Sequence, residues 1–458
     1  MKIFIGNCWS TLDGYTPELE EAMAVAHESY WFSAKYKSGL WDGKTHFLKI
    51  PSLRFPTGLL YVVTDFLDAC GTEYEITDTR VRPVVREDRW PAEIDGMLGG
   101  ITLRPYQDEA VTIAIGSERG CLEMATGSGK TEVAAAIIKL LGLKTLFLVH
   151  TKDLLRQTKK RFETRLHEDI GMLGDSICDI DHDIVVATVQ SVSANLSVSQ
   201  KATENWLNAF QVMFLDECHH TSAATWYKIG LLMKNAYFRF GLSGTVLRRD
   251  NLSNMKMLAV FGKPIYQLPA STLIEQGHLS GIRIHMVPNA EVVKGATWQQ
   301  VYDAGVVHSA HRNKMIADIA EAAHNTGRRV MILVRMIEHG KILKHMLQEE
   351  RNVSVKFLWG GSKSSERGDT IASFDGGDHF IIIASTIFDE GVDIPSINVL
   401  IVAAGGKSEV RAIQRTGRGL RKKEDMTDLV VYDFIDDSKF LRKHSARRLS
   451  VYKKEKFI

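Results

Sequence analysis

Gly120-Cys121-Leu122-Glu123-Met124-Ala125-Thr126-Gly127-Ser128-Gly129-Lys130-Thr131 is the stretch on which the fold of this chain turns. A short apolar run enters a small, glycine-bearing loop, and the loop enters residues 132–141, which hold strong helix formers and no breaker. This is the pattern of a phosphate cradle. Gly127 and Gly129 let the backbone of Thr126 to Gly129 turn its N–H groups inward, and the helix N-terminus adds a positive dipole. Lys130 is placed to reach the terminal phosphates, and Thr131 to hold Mg²⁺. The strict pattern has a glycine where Met124 stands, so the loop alone leaves open a plain Gly/Ser strand-to-helix turn.

Working outward, apolar runs at 144–149, 183–187, 212–215 and 240–242 read as strands. Each is followed by polar residues: His150-Thr151, Thr188-Val189-Gln190, Asp216-Glu217-Cys218-His219 and Ser243-Gly244-Thr245. Open parallel sheets place ligands at the carboxyl ends of their strands, which brings Asp216 and Glu217 beside Lys130. One carboxylate, Asp216, suits Mg²⁺ through water, and the next, Glu217, suits the orientation or deprotonation of an attacking water. Upstream, Arg104-Pro105-Tyr106-Gln107 carries an amide that can pair with adenine N6 and N7, and Trp90 or Tyr106 is a candidate to stack on the purine.

A second α/β set follows residue 270. Strands at 330–334, 355–359, 379–384 and 399–403 lead to Arg335, to Gly360-Gly361, to Ser385-Thr386 with Gly391 and Asp393, and to Gln414-Arg415-Thr416-Gly417-Arg418-Gly419-Leu420-Arg421. This half has no phosphate cradle.

In their order and spacing, these motifs over about residues 101 to 436 resemble superfamily 2 helicases of the DExH type. The resemblance implies two tandem RecA-like lobes with ATP and Mg²⁺ between them. It assigns nucleotide contacts to Arg104, Gln107, Thr126, Gly127, Ser128, Gly129, Lys130, Thr131, Gly391 and Asp393, and metal contacts to Thr131 and Asp216. Catalysis falls to Lys130, Asp216, Glu217, Gln414, Arg418 and Arg421, the arginines neutralising charge at the γ-phosphate. Thr151, Thr188, Gln190, Arg335, Ser385 and Thr386 fall in strand-gripping or phosphate-contacting motifs, and Ser243 and Thr245 in the motif that couples hydrolysis to movement. The Ser385 motif departs from the commonest Ala-Thr-Asp form.

Residues 1–78 read as a small α+β unit in the order β-α-β-β-α-β: a strand at 2–8, a helix at 17–30, a hairpin with arms near 32–37 and 45–50 turning at Asp42-Gly43, a helix at 57–70 and a strand at 73–77. Trp31, Phe32, Tyr36, Trp41 and Phe47 interleave with Lys35, Lys37, Lys44 and Lys49, as a nucleic-acid surface requires. The alternative is a small-sheet core with lysines on the wet face. Trp41 is either a ring that stacks on an opened base pair or a staple for the hairpin. This unit, with its Gly-Leu-Trp-Asp-Gly-Lys, resembles the N-terminal part of bacteriophage branch-migration helicases of the UvsW type, and the length leaves no room for an appended nuclease.

The expected organisation is a nucleic-acid-binding unit with connector at 1–95, lobe one at 96–270, lobe two at 271–437 and a basic tail at 438–458, which either docks as a helix through Phe440, Leu441, Leu449 and Tyr452 with its basic face left for duplex phosphates or stays a solvated tail. Hydrophobic content of 45%, charged content of 24% and a net charge of +2 are those of an ordinary soluble protein, so a polyanion must be held by local patches. Five scattered cysteines with no CxxC suit a reducing cytosol, and no run approaches the eighteen or so apolar residues of a membrane span. The expected function is ATP-driven remodelling of branched DNA in the cytoplasm, the host's if the gene is a phage's. The alternatives are an RNA helicase and an ATP-switched clamp. Protein partners and oligomeric state stay open, with a monomer allowed.

Overall fold

The computed structural model describes residues 1–85, 96, 98–218, 223–244, 251–279, 281–362, 364–385, 397–406, 428–454 and 457–458. By backbone contacts the chain divides into two compact units, one of residues 1–125 and 129–268 and the other of residues 126–128 and 269–458.

The first unit begins with β1 (Lys2–Ile5), β2 (Trp9–Leu12), α1 (Pro17–Ala22), β3 (Ala24–Ala26), α2 (Ala34–Lys37), β4 (Lys44–His46), β5 (Arg54–Pro56), α3 (Leu60–Ala69) and β6 (Glu75–Asp78). Thr16 caps α1, accepting from Leu19 N, and Pro17 opens it, as the sequence implies. Three expectations fail here. The helix ends at Ala22 instead of running to 30, because residues 24–26 pair with β4 instead. Residues 32–37 form helical turns and not a hairpin arm, so the partner of β4 is β3 across a long excursion. The four-stranded sheet has the order β5-β2-β1-β6, which is not the simple split pattern expected.

The rest of this unit comprises α4 (Pro105–Ser117), β7 (Arg119–Met124), α5 (Lys130–Leu141), β8 (Thr145–Val149), α6 (Lys152–Leu166), β9 (Gly171–Gly174), β10 (Ile177–Asp179), β11 (Ile184–Thr188), α7 (Val189–Val198), α8 (Gln200–Leu207), β12 (Val212–Leu215), α9 (Ala223–Leu232), β13 (Phe238–Ser243), α10 (Asn251–Phe261) and β14 (Pro264–Leu268). The eight strands lie in the order β10-β9-β11-β8-β12-β13-β7-β14, parallel except for the β9/β10 edge. Strands β8, β11, β12 and β13 are buried along their whole length, the property that makes central parallel strands read as unbroken apolar runs.

The second unit contains α11 (Ala270–Glu275), β15 (Ile282–Asn289), α12 (Trp298–Tyr302), α13 (Ala310–Asn325), β16 (Val330–Val334), α14 (Ile337–His345), β17 (Val355–Leu358), α15 (Ser364–Asp375), β18 (Ile381–Ser385), β19 (Val399–Val402), β20 (Leu429–Asp436) and a C-terminal helix, Lys439–Lys454. Its sheet runs β15-β20-β19-β16-β18-β17, with parallel pairing throughout. Each unit thus carries a helix-covered parallel sheet over its own core, the architecture of tandem RecA-like lobes.

Residues 1–78 have their own sheet but share a core with lobe one, where Leu258 and Ala259 of α10 pack among Phe47, Phe55, Leu59 and Val63. Gly58 lies so close to α10 that an added Cβ would stand 2.1 Å from the Leu258 carbonyl oxygen. Buried Arg239 donates to the carbonyls of Ala236, Gly230 and Met233 and to the Cys8 sulfur, and Arg119 donates to Asn7 O at 2.6 Å.

Candidate active site

The phosphate loop joins β7 to α5. Gly127 (φ +84°) and Gly129 (φ +85°) both occupy the left-handed region that glycine tolerates. At Gly129 space also forbids a side chain, since a Cβ would fall 2.2 Å from Gln107 Nε2. Gln107 is buried in the first turn of α4, and its Oε1 accepts from Arg104 N at 2.9 Å. One end of that amide therefore caps the helix while the other stands against the loop. Arg104 Nη1 in turn donates to the Tyr106 hydroxyl. The α5 end of the cradle is held by Glu132, buried in the first turn, which pairs with Arg161 and Arg165 of α6.

Lys130 Nζ lies 3.3 Å from Met124 O and 3.8 Å from Glu217 Oε1, with both side chains largely enclosed. Asp216 and Glu217 follow β12, the strand two places from β7 in the sheet. Asp216 is buried, and its Oδ1 accepts from Glu217 N at 2.9 Å. Glu217 itself has φ +48°, which a residue with a Cβ seldom adopts, and His150 Nε2 at the end of β8 donates to its carbonyl at 2.9 Å. This grip by His150 was not legible in the sequence. Next to it, contact with the Cys121 thiol and burial push the Cys218 thiol well above its ordinary range, so this cysteine packs and is no nucleophile.

The donor set fits a nucleoside triphosphate with its magnesium: a glycine cradle at the N-terminus of a twelve-residue helix, an ammonium, and oxygen donors from Thr131 and Asp216. Bound there, the metal would neutralise phosphate charge.

The strand-gripping candidates divide. Thr151 caps α6 and Thr188 caps α7 through their hydroxyls, and Thr188 is buried with its hydroxyl donating to Ser191 Oγ, which removes it from any surface. Gln190, one helical residue further on, is exposed. Ser243 is buried at the end of β13. In lobe two Arg335 is exposed at the carboxyl end of β16, and Ser385 is buried at that of β18. Met336, next to Arg335 in the chain, and Trp359, at the end of β17, also stand exposed, and the motifs do not include them. An aromatic between an apolar strand and Gly-Gly was the available signal.

In the N-terminal unit Lys35 and Lys37 are exposed. Lys44 instead pairs with Glu21, and Trp41 is half-buried, its Nε1 donating to Lys44 O at 2.8 Å and its ring meeting His27 edge-on at 4.8 Å. Trp41 is thus engaged within the unit by Lys44 and His27, and not by the helix that ends at Ala22. The Asp42-Gly43 turn is present, Asp42 Oδ1 accepting from Lys44 N. Trp90, His219, Thr245, Thr386, Gly391, Asp393, Gln414, Arg418 and Arg421 lie outside the described residues.

The C-terminal helix docks on β20. Leu441 and Tyr452 are buried, and so is Arg448, which pairs with Asp433 at 2.7 Å. Lys439, Arg442, Lys443 and Arg447 remain exposed along one face. No helix among the described residues is long and apolar enough to cross a membrane.

Comparison with known proteins agrees with this architecture. Residues 100–248 match the family described as type III restriction enzyme, res subunit, and residues 311–423 match the helicase conserved C-terminal domain. The ATP-dependent DNA helicase uvsW of Enterobacteria phage T4 is 26% identical over 96% of this chain and 94% of its own length. The DNA 3'-5' translocase XPB2 of Sulfurisphaera tokodaii is 28% identical over 71% of this chain and 80% of its own. A crystal structure of the UvsW helicase from bacteriophage T4 shares the fold with a TM-score of 0.50 at 23% identity, covering 58% of this chain and 99% of that one. Helicase relatives thus account for both lobes in order and for nearly the whole length, and the chain is an ATP-hydrolysing superfamily 2 helicase of the DExH type that resembles the UvsW-type members.

Proposed function

We propose that this protein is an ATP-driven DNA helicase that remodels branched DNA, forks and four-way junctions, in the cytoplasm, the host's if the gene is a phage's. The observation that carries the chemistry is the enclosed contact of Lys130 with Glu217 at the end of a glycine loop that Gln107 backs. There Lys130 meets the terminal phosphates, Thr131 and Asp216 hold Mg²⁺, and Glu217 orients the attacking water. The resemblance assigns Gly391 and Asp393 to the ribose, Gln414 to the water and Arg418 and Arg421 to the γ-phosphate. DNA over RNA is supported by two relatives whose names specify DNA, one of them matched along 96% of this chain. Branch selection is assigned to the N-terminal unit and to the basic face of the C-terminal helix, since phosphate contacts by the lobes carry no information on branching.

The test is ATP turnover with blunt duplex, single strand, fork, four-way junction and structured RNA. Stimulation by DNA above RNA, loss of turnover in Lys130→Ala and Glu217→Gln, and fork unwinding that stops in Lys130→Ala are expected. Stronger stimulation by RNA would establish the RNA helicase instead, and turnover without strand displacement would establish the clamp.

A further inference from the structure

The N-terminal unit leaves four large apolar side chains in the open within residues 31–40: Trp31 is 52% exposed, Phe32 73%, Tyr36 37% and Leu40 82%. Aromatics gathered on a wet face at this density mark a contact surface. Their setting is built. Two short helical turns carry them, fixed by Phe32 N to Ser29 O, Ser33 N to Tyr30 O and Leu40 N to Lys35 O. Tyr30 sits beneath, packed so closely on Gly43 that a Cβ there would meet its ring at 2.5 Å. Around Tyr30 the rings are splayed: Tyr36 at 4.7 Å and 78°, Trp31 at 5.3 Å and 75°, and Phe32 at 5.9 Å and 48° from Trp31. Rings that are not stacked on one another keep faces for something else.

We infer that the Trp31-Phe32-Tyr36 platform is a stacking site for unpaired DNA bases, with Lys35 and Lys37 on the adjoining phosphates. The charge pattern favours this occupant over an apolar protein surface. Both lysines are exposed and neither forms an ion pair among the described residues, while the only acid of segment 28–40 is Glu28. By contrast Lys44 and Trp41 are engaged internally by Glu21 and His27. Every base has a π-face, so stacking here is indifferent to sequence and selective for strands that have come apart. The site rests on the DNA helicase reading and supplies what that reading leaves open, the feature that tells an opened fork from closed duplex.

The experiment uses the full chain without nucleotide and DNA carrying 2-aminopurine in one unpaired arm of a fork, next to the branch. Binding should quench the probe in the wild type. Trp31→Ala with Phe32→Ala should abolish that quenching and weaken fork binding about a hundredfold, at about tenfold per lost ring, with blunt-duplex affinity and the far-ultraviolet circular dichroism unchanged. Trp31→Phe with Phe32→Tyr should restore both. Lys35→Gln with Lys37→Gln should lower the salt slope on forks by about 1.4. Unchanged fork affinity and quenching in the alanine pair would overturn the stacking site and leave the surface to a protein partner. An equal loss on blunt duplex would also overturn it. DNA-stimulated turnover by the wild type, measured alongside, separates these failures from failure of the helicase reading, which alone would abolish it.

Discussion

Asp433→Asn should destabilise lobe two far more than its change of one atom suggests. Asp433 and Arg448 have no exposed side-chain surface. One carboxylate oxygen accepts from Arg448 Nε at 2.7 Å and from the Tyr452 hydroxyl at 2.8 Å, and the other accepts from Phe434 N at 2.7 Å. Arg448 completes its shell on the carbonyls of Gly406 and Phe434. An amide at 433 removes the counter-charge, and turning its oxygen toward Arg448 aims its NH₂ at the Phe434 N–H. Breaking a buried pair from one side costs about 3–5 kcal/mol, a large part of the roughly 5–15 kcal/mol that holds a domain. Urea unfolding should therefore show an earlier transition for lobe two with that of lobe one unmoved. Asp433→Asn with Arg448→Met, which removes the stranded cation, should recover about 2 kcal/mol or more in a double-mutant cycle. A single-variant cost below about 1 kcal/mol, or additive costs in the cycle, would refute the argument.

Removing only the exposed cations of the same helix, with Lys439, Lys443 and Arg447 changed to Ala, should leave stability intact and reduce the slope of log affinity against log salt on duplex DNA by up to about 2.7; an unchanged slope would take the helix out of the DNA path. Gly129→Ala must carry φ +85° and meet Gln107 Nε2 at 2.2 Å, so the KM for ATP should rise by about tenfold or more, and a normal KM would mean that the loop can shift. His339 makes lobe two sensitive to acid. Burial, then Arg312 and His308, push it down to about 3 from 6.5, while its Nε2 donates to Asn313 Oδ1. As pH falls through 6.5 the unfolded chain takes up this proton and the folded chain does not, so stability present above that pH is lost below it, by about 1.4 kcal/mol at about pH 5.5. His339→Gln should flatten that part of the pH–stability curve, and an unaltered curve would exclude His339 as its source.

What was legible in the sequence follows from where the energy is local. The phosphate loop could be read because its chemistry lies in consecutive residues, and the central strands because burial on both faces selects unbroken apolar runs. Strand β15 is not legible as an apolar run: it alternates Arg283 and His285 with apolar residues and contains Pro288, as an edge position permits. Residues 32–37 misled for the opposite reason. Their aromatics are β-formers, yet no face of that segment is buried, so local turns prevail over pairing. The contact of Gln107 with Gly129 and the hold of His150 on Glu217 join segments 22 and 67 residues apart, and only the folded sheet brings them together.

The locking of residues 1–78 onto lobe one has a mechanical consequence. With Gly58 wedged against α10, Cys8 under Arg239 and Asn7 tied to Arg119, the N-terminal unit is packed as one compact unit with lobe one. A DNA arm held on that unit would be carried with lobe one through each stroke of the motor, as a blade is carried when bolted to the vehicle instead of towed on a chain. Force would then reach the branch point undiminished, and loosening this seam, by Gly58→Ala for example, should uncouple strand separation from ATP turnover before it lowers turnover itself.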